Sequence, residues 1–289
     1  MTHARPRYLE AKRSVDDRAL SRRVRNRLLE TLPADPRVLE VGCGTGVSVP
    51  RLRSWGVDAG QYRGVDTDEG VVAFARDVRP KTLRYADDGV EVGLAAPDAD
   101  FTVADLSVRF EVGDALAALD DATDVDLVIA GAFADLVSLS RLVPAVGSAL
   151  HPGGLAYFPI TFDGGTIFGP ALPGDDAVER AYHEAIDARS GRDVRAGRHL
   201  AERLNDRDGD LLAMASSDWV VRPHGSEYPA DERHFLSRIL GFVEEAVSAA
   251  DRPVQGFDSW LATRREQLAT GELFYVAHQY DLLYRSAER

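Results

Sequence analysis

The chain has 289 residues, of which 45% are hydrophobic and 28% charged, with a formal net charge of -13 and one cysteine. That is a globular composition, long enough for one large α/β domain or two small ones. The acidic surplus excludes a surface built to neutralise phosphate backbones, and the lone Cys43 excludes an internal disulfide and a multi-cysteine metal site.

No apolar run approaches the roughly 18 to 20 residues that cross a bilayer, and the arginine-bearing N-terminus is followed by no apolar segment of the secretory kind. A cytoplasmic protein is expected, with neither membrane nor nucleic acid as partner. Lysine occurs only at Lys12 and Lys81, and aspartate outnumbers glutamate, a bias of GC-rich genomes or of salt-adapted cytoplasm.

Residues 1–34 are locally basic. Leu20, Val24 and Leu28 recur at helical spacing, with Leu29 and Leu32 widening the stripe, and predict a helix over Val15–Thr31 that ends before Pro33. The helix is expected to pack on the sheet with a solvated arginine face, while Tyr8, Lys12 and Arg13 ahead of it are expected to fold over as a cap. The sequence then reaches the stretch on which the rest depends, Arg37-Val38-Leu39-Glu40-Val41-Gly42-Cys43-Gly44-Thr45-Gly46. A short apolar strand runs into three alternate glycines and then into the helical pattern Val47–Trp55. A helix N-terminus aimed at such a turn offers unpaired N–H groups to an anionic ligand end.

The dinucleotide fingerprint G-x-G-x-x-G would need glycine at 47, where this chain has Val47. Tyr62-Arg63-Gly64-Val65-Asp66 follows as a second strand ending in an acid, Val108–Ala115 as a third strand containing Asp114, and Val125–Gly131 as a fourth. Glu40-x-Gly42-x-Gly44-x-Gly46, with these later stations in order, resembles the first motif of class I S-adenosylmethionine (SAM) dependent methyltransferases. The resemblance spans about residues 35–160. It implies a doubly wound, mostly parallel α/β sheet of seven strands in the order 3-2-1-4-5-7-6, with SAM as cofactor. It further implies Glu40, Gly42, Gly44 and Gly46 around the methionyl end, Asp66 and Thr67 at the ribose, Asp114 and Ala115 at the adenine, and backbone of Ala130 at the methionyl part. Cys43 is expected to be a small residue that fits the turn.

Leu83–Asp105 predicts a loop or short hairpin before the third strand. A helix from Phe133 to Leu150 stops at His151-Pro152-Gly153-Gly154, and Leu155–Ile160 is the fifth strand. Thr161–Pro170 is expected to leave the strand as a glycine-rich and aromatic pocket wall. A helix over Asp175–Arg189 and the segment Ser190–Arg198 follow, so residues 161–209 are expected to be helical cap insertion. Leu211–Val221 and Glu272–Leu283 read as the last two strands, and residues 210–289 complete the domain whose SAM-binding core is 35–160. Between those strands, helices over 231–250 and 257–269 form either more cap or the association surface of a homo-oligomer.

Methyl transfer is an in-line displacement, so the protein's main task is to hold donor and acceptor in line and exclude water. A base is needed only where the acceptor must lose a proton. The candidates on the acceptor side are Tyr8, Asp163, His183, Asp218 and Trp219, with His224 and His278 behind them. His183 paired with Asp163 is the expected catalytic couple, because an acid beside an imidazole orients it as a base. No metal site is expected, since neither H-E-x-x-H nor clustered Cys and His occurs. Ala130-Gly131-Ala132-Phe133 also lacks the Asn/Asp-Pro-Pro-aromatic motif of amino-methylating DNA enzymes. The expected activity is methyl transfer to a small molecule. The alternatives are another nucleotide-cofactor enzyme, such as an aminopropyl transferase, and a non-catalytic ligand-binding or assembly module.

Overall fold

The computed structural model describes residues 6–86, 91–93, 98–250 and 252–288. Its N-terminus is two helices, α1 (Pro6–Ala19) and α2 (Arg22–Thr31), where one was expected over Val15–Thr31. Pro6 suits the first helical position, and Tyr8, Ala11 and Val15 are spaced to bury one face. The break falls at Ser21, which is extended and caps α2 by accepting a bond from the Val24 N–H.

β1 (Arg37–Val41) leads through the glycine turn to α3 (Ser48–Ser54), and β2 (Ala59–Asp66) to α4 (Glu69–Ala86). Two short strands, β3 (Val92–Gly93) and β4 (Phe101–Val103), precede β5 (Asp105–Val112) and α5 (Ala115–Asp120). The loop or hairpin expected over 83–105 is thus partly strand, with residues 87–90 and 94–97 outside the described ones. β6 (Val125–Ile129) is followed by a 3-10 turn over Ala134–Leu136 and then α6 (Leu139–Ala149).

β7 (Leu150–Gly169) is the main departure from expectation. It starts before the Pro-Gly-Gly segment, which bulges: Val125 faces Leu150, yet Leu127 faces Leu155. At its other end it continues past Ile160, where a loop was expected. Then come α7 (Asp175–Asp187), α8 (Ala196–Asn205), β8 (Gly209–Ser216), β9 (Trp219–Val221), α9 (Glu232–Ser248), α10 (Phe257–Thr270) and β10 (Phe274–Ser286). The pairing of Ile167 with Val276, and of Thr166 with Ala277, converts the expected loop into strand.

The strand order among the described residues is β3-β4-β5-β2-β1-β6-β7-β10-β8, with β9 also on β10. The expected seven strands in the order 3-2-1-4-5-7-6 are therefore corrected to ten. The additions are short strands: the β3–β4 pair beyond β5, and β9, split from β8 at Ser217-Asp218. The five central strands are mutually parallel, and the β10 pairings are antiparallel.

Buried parallel strands are apolar on both faces, and alternate residues here serve two cores. Val38, Leu127, Ile129 and Tyr157 face α2, α3 and α4, while Leu39, Val128, Ala156 and Phe158 face α5, α6 and α8. A third core joins α1, α7, α9 and α10 to β9 and the start of β10. The 160/161 domain boundary expected from the sequence falls inside β7. Of the expected 161–209 cap, α7 joins the third core, whereas Leu200 and Leu204 of α8 pack with the sheet.

Candidate functional site

One cavity of about 570 Å³ opens at the carboxyl ends of β1, β2, β5 and β6, where open α/β sheets bind ligands. Its floor is the glycine turn. Gly42, Gly44 and Gly46 have φ of +68°, +51° and +73°, a region that costs other residues roughly 1–2 kcal/mol. A Cβ on Gly42 would lie 2.4 Å from the Phe133 ring, and one on Gly46 would lie 2.4 Å from Phe110. Gly42 and Gly44 line the cavity, but Gly46 does not. The third glycine is required by the packing of Phe110 beneath the turn.

The turn is tied on every side. The Cys43 N–H donates to the Val65 carbonyl at 3.1 Å, and the Gly44 N–H donates to Asp66 Oδ2 at 2.9 Å. Thr45 donates its hydroxyl to Glu10 Oε1 at 2.7 Å, and buried Arg79 reaches both the Thr45 carbonyl and Glu10. In this way α1 is fastened to the turn it covers. Glu40 is buried with Ser48 and Tyr62 donating to its two oxygens, and burial raises its carboxyl from 4.5 to about 7. The Cys43 thiol is pushed well up by burial, which leaves it a packing group.

Asp66 and Thr67 line the cavity, and Asp66 Oδ1 also accepts from the Asp68 N–H at 3.0 Å. Ala115 lines it too. Asp114 does not, because its Oδ1 caps α5 by accepting from the Leu116 and Ala117 N–H groups. Ala130 is wholly buried, and the residues after it, Gly131, Ala132 and Phe133, face the cavity instead.

On the opposite wall, Tyr8 and Trp219 are in place. Trp219 Nε1 donates to Asp16 Oδ1 at 2.9 Å, and Asp16 Oδ2 lies 3.1 Å from Lys12 and 3.4 Å from Arg51. Burial holds the phenols of Tyr8 and Tyr275 well above their ordinary value and pushes Tyr182 up to about 12, so all three stay protonated.

The expected His183–Asp163 couple does not form. Asp163 is buried and turned to α8, where the Arg198 side chain and backbone N–H hold it at 2.8–3.1 Å. His183 instead contacts Thr166 Oγ1 at 2.9 Å, and burial lowers its pKa. Asp218 pairs with His278 Nδ1 at 2.8 Å, and His224 is exposed. Asp163, His183, Asp218, His224 and His278 all lie outside the cavity lining. Their partners, contributed by α8, Thr166 and β10, are remote in sequence.

Asp135 was not singled out from the sequence, where it reads only as part of a helix start. It sits in the 3-10 turn after β6 and lines the cavity. Burial raises its carboxyl from 3.8 to about 6, against the pull of Arg192 and Lys12. The neighbouring backbone is strained: Ala132 and Ile160 have φ of +49° and +59°, and both line the cavity. Such conformations cost about 1–3 kcal/mol each and cluster at functional sites. The buried Asp281 holds the bend at Ile160, accepting from its N–H at 2.9 Å while its other oxygen accepts from the Ser21 N–H at 2.7 Å.

A cavity with a glycine floor, an acid and a hydroxyl at the β2 end, and a small residue at the β5 end fits the parts of an adenosyl compound. Residues 39–158, under half of the chain, match the sequence model of a family described as "Methyltransferase domain". No curated protein sequence matches the chain. Among solved structures, it is similar to a SAM-dependent methyltransferase from Thiobacillus denitrificans in complex with S-adenosyl-L-homocysteine (20% identity, 94% of this chain and 95% of that one covered, TM-score 0.46). It is also similar to the YcgJ protein from Bacillus subtilis (16%, 93% and 100%, TM-score 0.48). A third is a putative sarcosine dimethylglycine methyltransferase from Galdieria sulphuraria (14%, 97% and 88%, TM-score 0.46).

Proposed function

We propose that residues 39–158, which match the family model described as "Methyltransferase domain", form a class I SAM-dependent methyltransferase domain, and that the enzyme methylates a small molecule enclosed between the sheet and the cap. SAM, when bound, supplies a methyl group on a positively charged sulfur. Gly42, Gly44, Asp66, Thr67 and Ala115 hold the cofactor in this reading, and Glu40, which also lines the cavity and is held by Ser48, stands at its methionyl end. The acceptor lies on the other side, among Asp135, Phe162, Thr166, Tyr182 and Trp219.

The observation that carries the proposal is the roof. Residues of α1, α7 and α9, including Tyr8, Tyr182 and Phe242, line the cavity from above the glycine turn, and Asp16 and Glu10 pin α1 in place. A polymer would have to displace that layer, whereas a small molecule fits beneath it. The net charge of -13 also disfavours a nucleic acid.

Asp135 is the group placed to take a proton. A carboxyl raised to about 6 is ionised at neutral pH and is a better base than an ordinary aspartate. Its location in the cavity, with His183 and Asp163 outside, moves the base from the expected pair to this residue. The test is to incubate the protein with methyl-tritiated SAM and size-fractionated cell extract. Label should appear, in an enzyme-dependent way, in a small molecule separated chromatographically from unreacted SAM; label transferred only to protein or nucleic acid would contradict the proposal.

A further inference from the structure

The loop between α7 and α8 brings Arg189 and Arg192 to the cavity. Among the described residues neither guanidinium has a hydrogen bond or an ion pair within 4.0 Å, although most other arginines facing the interior are paired, as Arg51, Arg79 and Arg264 are. The loop itself is fixed. The Asp193 N–H donates to the Asp135 carbonyl at 3.2 Å, the Val194 N–H donates to Asp187 Oδ1 at 2.9 Å, and Gly191 presses on the Ser138 backbone. Both arginines are thus held on the acceptor side, beside the segment that follows β6 and away from the β2 and β5 ends. In the same cavity Gln279, 2% exposed, keeps its Oε1 without a hydrogen-bond partner.

The two half-buried guanidinium groups keep their N–H donors free of protein partners, Arg192 within the field of Asp135, while the buried Gln279 oxygen is costly unless a donor on a ligand, such as a hydroxyl or amine, satisfies it. Guanidinium is the side chain best matched to planar or tetrahedral oxyanions, through parallel N–H donors. The geometry points to an acceptor that carries an oxyanion, a carboxylate or a phosphate, docked on Arg189 and Arg192 with its nucleophilic atom turned towards Asp135. This rests on the small-molecule reading above and narrows it. Lys12 is not counted, since it is engaged by Asp16.

The test uses the full-length protein saturated with S-adenosylhomocysteine, titrated calorimetrically with benzoate, phenyl phosphate and neutral benzamide. Saturable binding of benzoate or phenyl phosphate is expected, at least tenfold tighter than benzamide, and the tighter of the two anions identifies the oxyanion. The double variant Arg189→Gln/Arg192→Gln should lose at least tenfold in anion binding while its affinity for S-adenosylhomocysteine stays within twofold. Should the double variant fail to fold, the single variants and the wild-type anion-to-amide ratio carry the test. Equal binding of benzoate and benzamide overturns the inference and leaves the small-molecule reading standing. Binding of none of the three probes overturns the inference, whereas the small-molecule reading fails only if the labelled-SAM assay gives no small-molecule product. A variant that loses S-adenosylhomocysteine instead assigns the arginines to the cofactor and overturns the inference.

Discussion

Replacing Asp135 by Asn keeps the side chain's shape and removes its charge. The folded protein holds this carboxyl at about 6 against an ordinary 3.8, so its charged form is penalised by about 3 kcal/mol relative to the unfolded chain. Partial solvent access reduces that to about 1–3 kcal/mol. The native state binds the proton more tightly, so between pH 3.8 and about 6 it carries more protons than the unfolded chain and the wild type loses stability as pH rises. Asp135→Asn should therefore match the wild type below pH 4, gain on it through that window, and stay about 1–3 kcal/mol more stable at pH 8. The charged and titratable groups that set this balance are Tyr8 and Lys12 from α1, Tyr182 from α7, and Arg192 and Asp193 from the following loop. Glu40, raised to about 7, titrates in both proteins and cancels in the difference. Urea denaturation at pH 4, 6 and 8 measures the effect, and the methyl-transfer rate should fall by about 10²–10⁴. A gain of equal size at pH 4 and pH 8, or no gain at pH 8, would refute the account of this carboxyl. Unchanged turnover would remove its role as base.

Gly46→Ala combines a left-handed backbone with a Cβ driven into Phe110, and should lower stability by about 2–5 kcal/mol in urea denaturation; a loss below about 0.5 kcal/mol would show that the ring moves aside. Asp281→Asn turns an amide N–H₂ towards a backbone N–H at Ile160 or Ser21 and should cost about 1–3 kcal/mol, checked by the same method. Asp16→Ala leaves Lys12 and Arg51 without their shared carboxylate and frees Trp219; about 3–5 kcal/mol of stability should go, with α1 becoming the first site cut in limited proteolysis.

The turn at 42–46 and the strands around it were legible because their determinants are local: an apolar parallel strand, then glycines that alone tolerate positive φ. What the sequence obscured depends on partners far along the chain. The apolar stripe Leu20-Val24-Leu28 suggested one helix, but Ser21 is drawn out by Asp281, 260 residues away. Thr161–Gly169 looked like a loop because Gly164 and Gly165 punctuate it, yet β10 supplies an antiparallel partner that carries the strand through. Asp163 and His183 looked like a couple because both seemed to lie near the cap; the strand turns one to Arg198 and gives the other Thr166. Asp135 carries no local signature at all. Its character comes from burial beneath α1 and α7.

The most direct measurement is calorimetric titration of the full-length protein with S-adenosylhomocysteine, SAM and NAD, repeated with Asp66→Ala. Both adenosyl compounds should bind at one site per chain, NAD should not, and Asp66→Ala should weaken them at least tenfold. Binding of NAD alone, or adenosyl binding that ignores Asp66, would contradict the assignment of the glycine-floored cavity to SAM.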